Sequence, residues 1–120
     1  MATFAELLAI SLPADAGEDS ASFLPTLRTG QPSPRDQLVS HSINGSFAIR
    51  RGPWKLLLCP DSGGWSAPRP GSKQTAGLPP IQLFHLGDDL GEQTNLAEAH
   101  PEKVQELTAL LEQFVAEGRS

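Results

Sequence analysis

The apolar residues in the last quarter of the chain recur at steps of three and four, which predicts one long amphipathic helix. The stripe consists of Val104, Leu107, Leu110, Leu111, Phe114 and Val115. Pro101 suits the first turn of this helix, where a missing backbone N–H costs nothing, and Gly118 suits its end. Burying the stripe would contribute about 1.5–3 kcal/mol for each large side chain, before the entropy of ordering is subtracted.

The start of the chain has the same three- and four-residue spacing of apolar residues over a shorter range. The residues with this spacing are Phe4, Leu7 and Leu8. We expect a helix over residues 3–11, with Thr3 and Glu6 forming a capping box. A helix this short is not stable alone in water, so its apolar face needs a surface to lie against.

A polar turn and a second short helix come next. Residues 22–28 are expected to be helical, with Ser20 or Ser22 as the cap and Gly30 ending the helix. The Pro-rich residues 31–36 predict a stiff connector, because each proline fixes φ and favours extended structure before it.

The middle of the chain predicts four strands. The runs cover residues 38–43, 46–51, 54–59 and 81–86. The third run is apolar on both faces, as in a central strand. Residues 60–80 are rich in Gly and Pro and predict a long loop, and such loops are usually functional or disordered.

The dipeptide Asn44-Gly45 between the first two runs is a strong signal for a two-residue hairpin turn. That turn would set His41 opposite Ala48. It would also set two serines opposite large apolar residues: Ser40 opposite Ile49, and Ser42 opposite Phe47. Because that face is awkward, a longer loop is the alternative.

Composition narrows the class of protein. The chain has 120 residues, a net charge of -5 and no basic stripe, so we expect no nucleic-acid partner. No apolar run approaches the roughly 20 residues of a membrane-spanning helix, so we expect no membrane partner either. The start does not resemble a signal peptide, since it is acidic and amphipathic. The single cysteine excludes an internal disulfide. These rules alone predict a soluble α+β domain of unknown role.

Candidate catalytic residues are few. The three histidines, His41, His85 and His100, lack metal-ligand spacing and are expected to be surface or structural residues. A Ser–His pair at His41 would still need an orienting acid and an oxyanion hole, and nothing supplies them. The acidic cluster of Asp88, Asp89 and Glu92 does not match a calcium loop, so we expect it to form a turn and a cap.

Several segments carry a resemblance to a known family, and together they span nearly the whole chain in order. They are residues 1–8, residues 17–27, residues 41–50 with 52–56, Gln82-Leu-Phe-His-Leu86 with Asp89-Leu-Gly-Glu-Gln-Thr-Asn-Leu-Ala97, and the helix after His100-Pro101. Taken together, their order and spacing resemble the C-terminal region of formylglycine-dependent sulfatases, the arylsulfatase family of the alkaline-phosphatase-like superfamily.

The resemblance implies a specific fold and chemistry. It implies an α+β fold in which a small four-stranded antiparallel sheet packs against the long C-terminal helix. Residues 1–30 would be the end of the catalytic domain and a connector, and residues 31–120 the C-terminal domain. Members of the family hydrolyse sulfate esters with a formylglycine, made from Cys or Ser in a C/S-x-P/A-x-R motif, and with a calcium ion.

The chain departs from that pattern at the catalytic residues. Its cysteine lies in Cys59-Pro-Asp-Ser-Gly63, which has neither the proline or alanine nor the arginine of the motif. We expect no serine to supply the motif, and no counterpart of the calcium-binding residues. The sequence therefore predicts no catalytic residue, no metal ligand and no cofactor in this chain, and little activity alone.

The leading interpretation is the C-terminal portion of a sulfatase, separated from its catalytic part and with Met1 an internal methionine of a longer frame. The first alternative is a free-standing interaction module, and the second is a piece of a larger phosphatase-like hydrolase. A substrate-bordering role would fall to His41 and Trp65, although a packed anchor is the competing role for Trp65. Expected partners are a sulfatase catalytic domain, or a second copy bound through an exposed sheet face. The family's frequent export suggests a periplasmic or extracellular parent; the chain itself leaves its location open.

Overall fold

The computed structural model describes residues 1–118, and it contains four strands and three α-helices. The elements, in chain order, are α1 (Ala2–Leu7), α2 (Leu24–Thr29), β1 (Gln37–His41), β2 (Phe47–Arg51), β3 (Trp54–Leu57), β4 (Gln82–His85) and α3 (Pro101–Glu117), with one turn of 3₁₀ helix at Lys73–Thr75. None of the helices within residues 1–118 is both long and apolar enough to cross a membrane.

The four strands form one antiparallel sheet in the order β1-β2-β3-β4. Cross-strand pairing sets one row of apolar side chains across it: Val39, Ile49, Leu56 and Leu83. Leu107 and Leu111 of α3 pack on this row, and the central members of the cluster are fully buried. The predicted α+β fold, with its antiparallel sheet and long C-terminal helix, is confirmed.

The free edge of β4 is covered by a side chain rather than by a fifth strand. Asn95 Oδ1 accepts a hydrogen bond from the Leu83 N–H at 3.0 Å, and Asn95 Nδ2 donates to the Ile81 carbonyl at 3.0 Å. The Leu96 N–H donates to the Leu83 carbonyl at 2.8 Å. These bonds satisfy backbone groups that an open edge would expose.

The prediction of a two-residue hairpin turn is wrong, because the loop between β1 and β2 has three residues. The alternative of a longer loop is confirmed. His41 pairs with Phe47, and Ser40 with Ala48. The Ser42 N–H donates to the Ser46 carbonyl at 2.9 Å, and Gly45 has a φ of 84°. A glycine in the left-handed region lets a three-residue loop close, and the one-residue shift places Val39 opposite Ile49 in the core.

The first helix is shorter than predicted, and its capping box is wrong. Met1 occupies the cap position without a side-chain hydrogen bond, and Thr3 lies inside the helix. The Thr3 hydroxyl instead accepts a hydrogen bond from the Phe23 N–H at 3.2 Å, and the Ser20 hydroxyl accepts one from the Ala2 N–H at 2.8 Å. These bonds tie α1 to the segment before α2. Gly30 ends α2 with a φ of 70°, as predicted.

Both short helices leave large apolar side chains in solvent. The exposed residues are Met1, Phe4, Leu7, Leu8, Ile10, Phe23 and Leu27, and we call them the N-terminal apolar surface. Phe4 is 71% exposed and Leu8 is 65% exposed. Amphipathic helices usually bury side chains of this kind, so within residues 1–118 the two short helices present an uncovered apolar surface.

Candidate functional site

A pocket of about 180 Å³ lies where the β1–β2 turn meets the loop after β3. Its lining comes from residues 40–42 and 46–48, from Lys55 and Leu57 of β3, and from Cys59, Ser62 and Gly63. We call it the hairpin–loop pocket. Side chains alternate along a strand, so Ser40, Ala48 and Leu57 lie on the sheet face opposite α3.

Gly63 forms the joint between hairpin and loop. Its φ is +68°, and a Cβ at this position would lie 3.3 Å from the Ser42 Cβ. The Asn44 Nδ2 donates to the Gly63 carbonyl at 3.2 Å. Only glycine gives both the left-handed backbone and the close approach at this point. The loop is therefore seated on the hairpin.

The start of the same loop is anchored to the sheet by polar groups. The Asp61 side chain accepts a hydrogen bond from the Gly63 N–H at 2.8 Å, and both residues are buried. Gln82 Nε2 on β4 donates to the carbonyls of Cys59, at 2.7 Å, and Asp61, at 3.0 Å. Cys59 is buried, as free cysteines commonly are.

One cation lines the pocket, and it has a carboxylate partner. Lys55 Nζ lies 2.6 Å from Glu92 Oε1, and each side chain is about one-third exposed. Glu92 has a φ of 54°, a region that residues with a side chain enter at a cost. The positive charge that Lys55 brings to the pocket is therefore paired with the Glu92 carboxylate.

Of the two residues predicted to contact substrate, His41 lines the pocket, and Trp65 follows the pocket residue Gly63 by two positions in the loop. The His41 ring meets the Phe47 ring edge-to-face at a centroid distance of 4.9 Å. Trp65 follows the Gly63-Gly64 turn and is 77% exposed, with its carbonyl accepting a hydrogen bond from Arg69 Nε at 3.1 Å. Within residues 1–118, the Trp65 side chain is therefore not packed as an anchor.

The acidic turn after β4 has a structural role. Asp89 Oδ2 accepts hydrogen bonds from the N–H groups of Gln93, at 2.7 Å, and Thr94, at 2.8 Å. These backbone donors hold the pKa of Asp89 below its ordinary value of 3.8. The predicted turn-forming role of this cluster is confirmed. Within the described part of the chain, no group of three His, Cys, Asp or Glu side chains is placed to hold a metal ion.

Our expectation that no serine matches the formylglycine motif is wrong at the level of sequence. Ser46-Phe-Ala-Ile-Arg50 has the form S-x-A-x-R. Ser46 closes the β1–β2 turn, and its N–H donates to the Ser42 hydroxyl at 3.0 Å. The rest of the match runs along β2, with Ile49 buried under α3. Ser46 lines the hairpin–loop pocket.

Comparison with known proteins gives the chain its family. No family model matches it. It is 35% identical over 114 residues to the N-acetylgalactosamine-6-O-sulfatase of Bacteroides thetaiotaomicron, an alignment that covers 92% of this chain and 21% of that enzyme. The chain therefore spans about a fifth of the length of this curated relative.

Comparison with solved structures supports the same family. A sulfatase described as 6S-sulf, from glycosaminoglycan metabolism by Bacteroides thetaiotaomicron, superposes with a TM-score of 0.72 at 36% identity, over 93% of this chain and 23% of that one. A 2-O GAG sulfatase shares the fold, with a TM-score of 0.64 at 23% identity over 97% of this chain and 23% of its own. The chain belongs to the sulfatases and corresponds to their C-terminal region.

Proposed function

We propose that this chain forms the part of a sulfatase that borders the substrate, and that the substrate is a sulfated amino sugar. The support for the substrate class is the 35% identity to a relative named for N-acetylgalactosamine 6-O-sulfate. The support for the role is the hairpin–loop pocket, since two separate segments are joined there by the glycine contact and by Asn44.

His41 and Trp65 would make the contacts to sugar. The exposed indole of Trp65 offers a flat apolar surface, and aromatic rings of this kind pack against the apolar face of a sugar ring. His41 offers a ring nitrogen for a hydroxyl or a sulfate oxygen. The serine hydroxyls that line the pocket add donors and acceptors.

The chemistry of hydrolysis would come from elsewhere in the enzyme. The family uses formylglycine and calcium, and the described residues do not fit a calcium ion, because no suitable cluster of acidic side chains forms. The serine that matches the motif lies at a strand end in a hairpin. We therefore assign this chain no catalytic step.

The N-terminal apolar surface would carry the contact with the catalytic part. In the relatives, about four-fifths of the protein lies outside the region that aligns with this chain. Exposed apolar side chains on α1 and α2 are suited to pack against such a neighbour. Self-association through an exposed sheet face is the expectation for a free-standing interaction module, and sedimentation at increasing concentration tests for it.

Titration of the chain with a tetrasaccharide that contains N-acetylgalactosamine 6-sulfate tests the proposed role. We expect saturable binding that is weakened about tenfold by Trp65→Ala, which corresponds to about 1.4 kcal/mol; loss of the aromatic ring on which a nucleobase stacks costs about 1–3 kcal/mol. Leu90→Ala is the matched control, because Leu90 is an apolar side chain that is 83% exposed and lies in the turn after β4, outside the loop that carries Trp65. Equal affinity of the Trp65→Ala, His41→Ala and unchanged proteins would refute the role.

A further inference from the structure

The opposite end of the β2–β3 pair holds a second cleft, of about 320 Å³. Asp36, Arg51, Gly52, Trp54, Lys103 and Glu106 contribute to its lining. Arg51 pairs with Trp54 in the sheet, whereas the hairpin–loop pocket begins at the Phe47 end of β2. The two linings are adjacent at Trp54 and Lys55, but consecutive residues of a strand point to opposite faces, so this cleft lies on the α3 side of the sheet and the hairpin–loop pocket on the other side. The cleft is thus a separate site.

Trp54 provides an oriented aromatic surface in this cleft. Its ring meets His85 edge-to-face at 4.8 Å and His100 edge-to-face at 5.3 Å. Lys103 Nζ lies 5.9 Å from the centroid of the indole. The side chain is only partly buried, so these neighbours fix the ring while leaving some of it accessible. A fixed aromatic ring binds at a low entropic cost.

The charged side chains of the cleft are two cations, Arg51 and Lys103, and two carboxylates, Asp36 and Glu106, of which Glu106 pairs with both cations. Arg51 Nη1 lies 3.3 Å from Glu106 Oε1, and Lys103 Nζ lies 2.5 Å from Glu106 Oε2. Each oxygen of one carboxylate thus has its own cation. Ion pairs as exposed as these are weak in water, so an incoming anion can exchange with Glu106. The spacing of the two cations suits a carboxylate or a sulfate.

We infer that this cleft is a second binding site for a sulfated saccharide. One sugar unit packs on Trp54, and its anionic substituent lies between Arg51 and Lys103 in place of Glu106. The inference rests on the substrate class proposed above and adds a contact on the helix side of the sheet. Recognition of a sulfated sugar requires both the Trp54 ring and the two cations, because an aromatic surface alone would not distinguish sulfated from neutral sugars.

The two tryptophans of the chain allow the sites to be observed separately. In ¹⁵N-labelled protein each indole N–H gives one resonance, and Trp65→Ala assigns them. On addition of a tetrasaccharide that contains N-acetylgalactosamine 6-sulfate, we expect the Trp54 resonance to shift saturably. The desulfated tetrasaccharide should bind about tenfold more weakly, as loss of one charge-assisted contact implies.

Charge variants complete the test. Lys103→Ala should weaken the Trp54 response about tenfold, and Glu106→Gln should strengthen it about threefold by freeing the cations. Lys73→Ala, at an exposed lysine outside the cleft, should change nothing. Arg51→Ala gives a second variant should Lys103→Ala fail to retain native chemical shifts.

The inference is wrong if the Trp54 resonance does not shift at a saturating saccharide concentration. It is also wrong if Lys73→Ala and Lys103→Ala weaken saccharide binding at Trp54 equally. The Trp65 resonance decides the proposed function independently. Movement of Trp65 alone leaves the hairpin–loop pocket supported and the second site refuted, and movement of Trp54 alone gives the reverse.

Discussion

Replacing Gly63 by alanine would add a methyl group at the point where the loop after β3 meets the β1–β2 hairpin. The new Cβ would lie 3.3 Å from the Ser42 Cβ, and the backbone would remain at a φ of +68°. The left-handed backbone costs a residue with a side chain about 1–2 kcal/mol. The close contact adds about 1–2 kcal/mol, because hydrogen bonds hold both the Gly63 backbone and Ser42 in place. We therefore expect a total loss of about 2–4 kcal/mol.

Gly71 provides the matched control. Its φ is +71°, but a Cβ built there meets no atom within 4 Å. Gly71→Ala should therefore cost only the backbone term, about 1–2 kcal/mol. Urea unfolding followed by tryptophan fluorescence measures both variants. Equal losses would show that the close approach at Gly63 contributes nothing, and the description of the pocket as a joined hairpin and loop would be wrong.

Two further predictions concern the fold. Leu107→Ala should lower the free energy of unfolding by about 2–5 kcal/mol, because Leu107 is fully buried. Val115→Ala, on the exposed side of α3, should change it by no more than about 0.5 kcal/mol. Similar losses for the two variants in urea unfolding would contradict the packing of α3. The pKa of Asp89 is lowered by backbone donors, so its stabilisation is present above pH 3.8 and is lost as pH falls through the lowered pKa. Asp89→Asn should therefore be less stable at pH 7, and the difference should vanish in acid; a constant difference would refute the charge term.

The sequence was sufficient for the elements that depend on repeated apolar spacing. The stripe from Val104 to Phe114 predicted α3, and Pro101 and Gly118 marked its ends. All four strands were predicted to within about two residues at each end. The hairpin register was not predicted, because Asn44-Gly45 is compatible with both a two-residue and a three-residue loop, and packing of Val39 against Ile49 decides between them.

The polar contacts depend on the folded arrangement and had no local signal. Asn95 covers the edge of β4, which lies twelve positions earlier in the chain at Leu83. Glu92 reaches Lys55 across 37 positions, and the Trp54 cluster joins β3 to β4 and to the start of α3. His41 and Trp65 were selected as candidates from the resemblance and from a glycine-flanked loop. Their roles, like the division at residue 30, stay predictions.

Hydrolysis of a chromogenic aryl sulfate by the purified 120-residue chain, with calcium present, tests the central claim most directly. The account assigns catalysis to a part of the sulfatase outside this chain, so it predicts no turnover above a buffer control. Ser46→Ala should behave identically, because Ser46 is assigned no catalytic step. Turnover that survives repurification and disappears in Ser46→Ala would contradict the account, and would make this serine the source of the catalytic group.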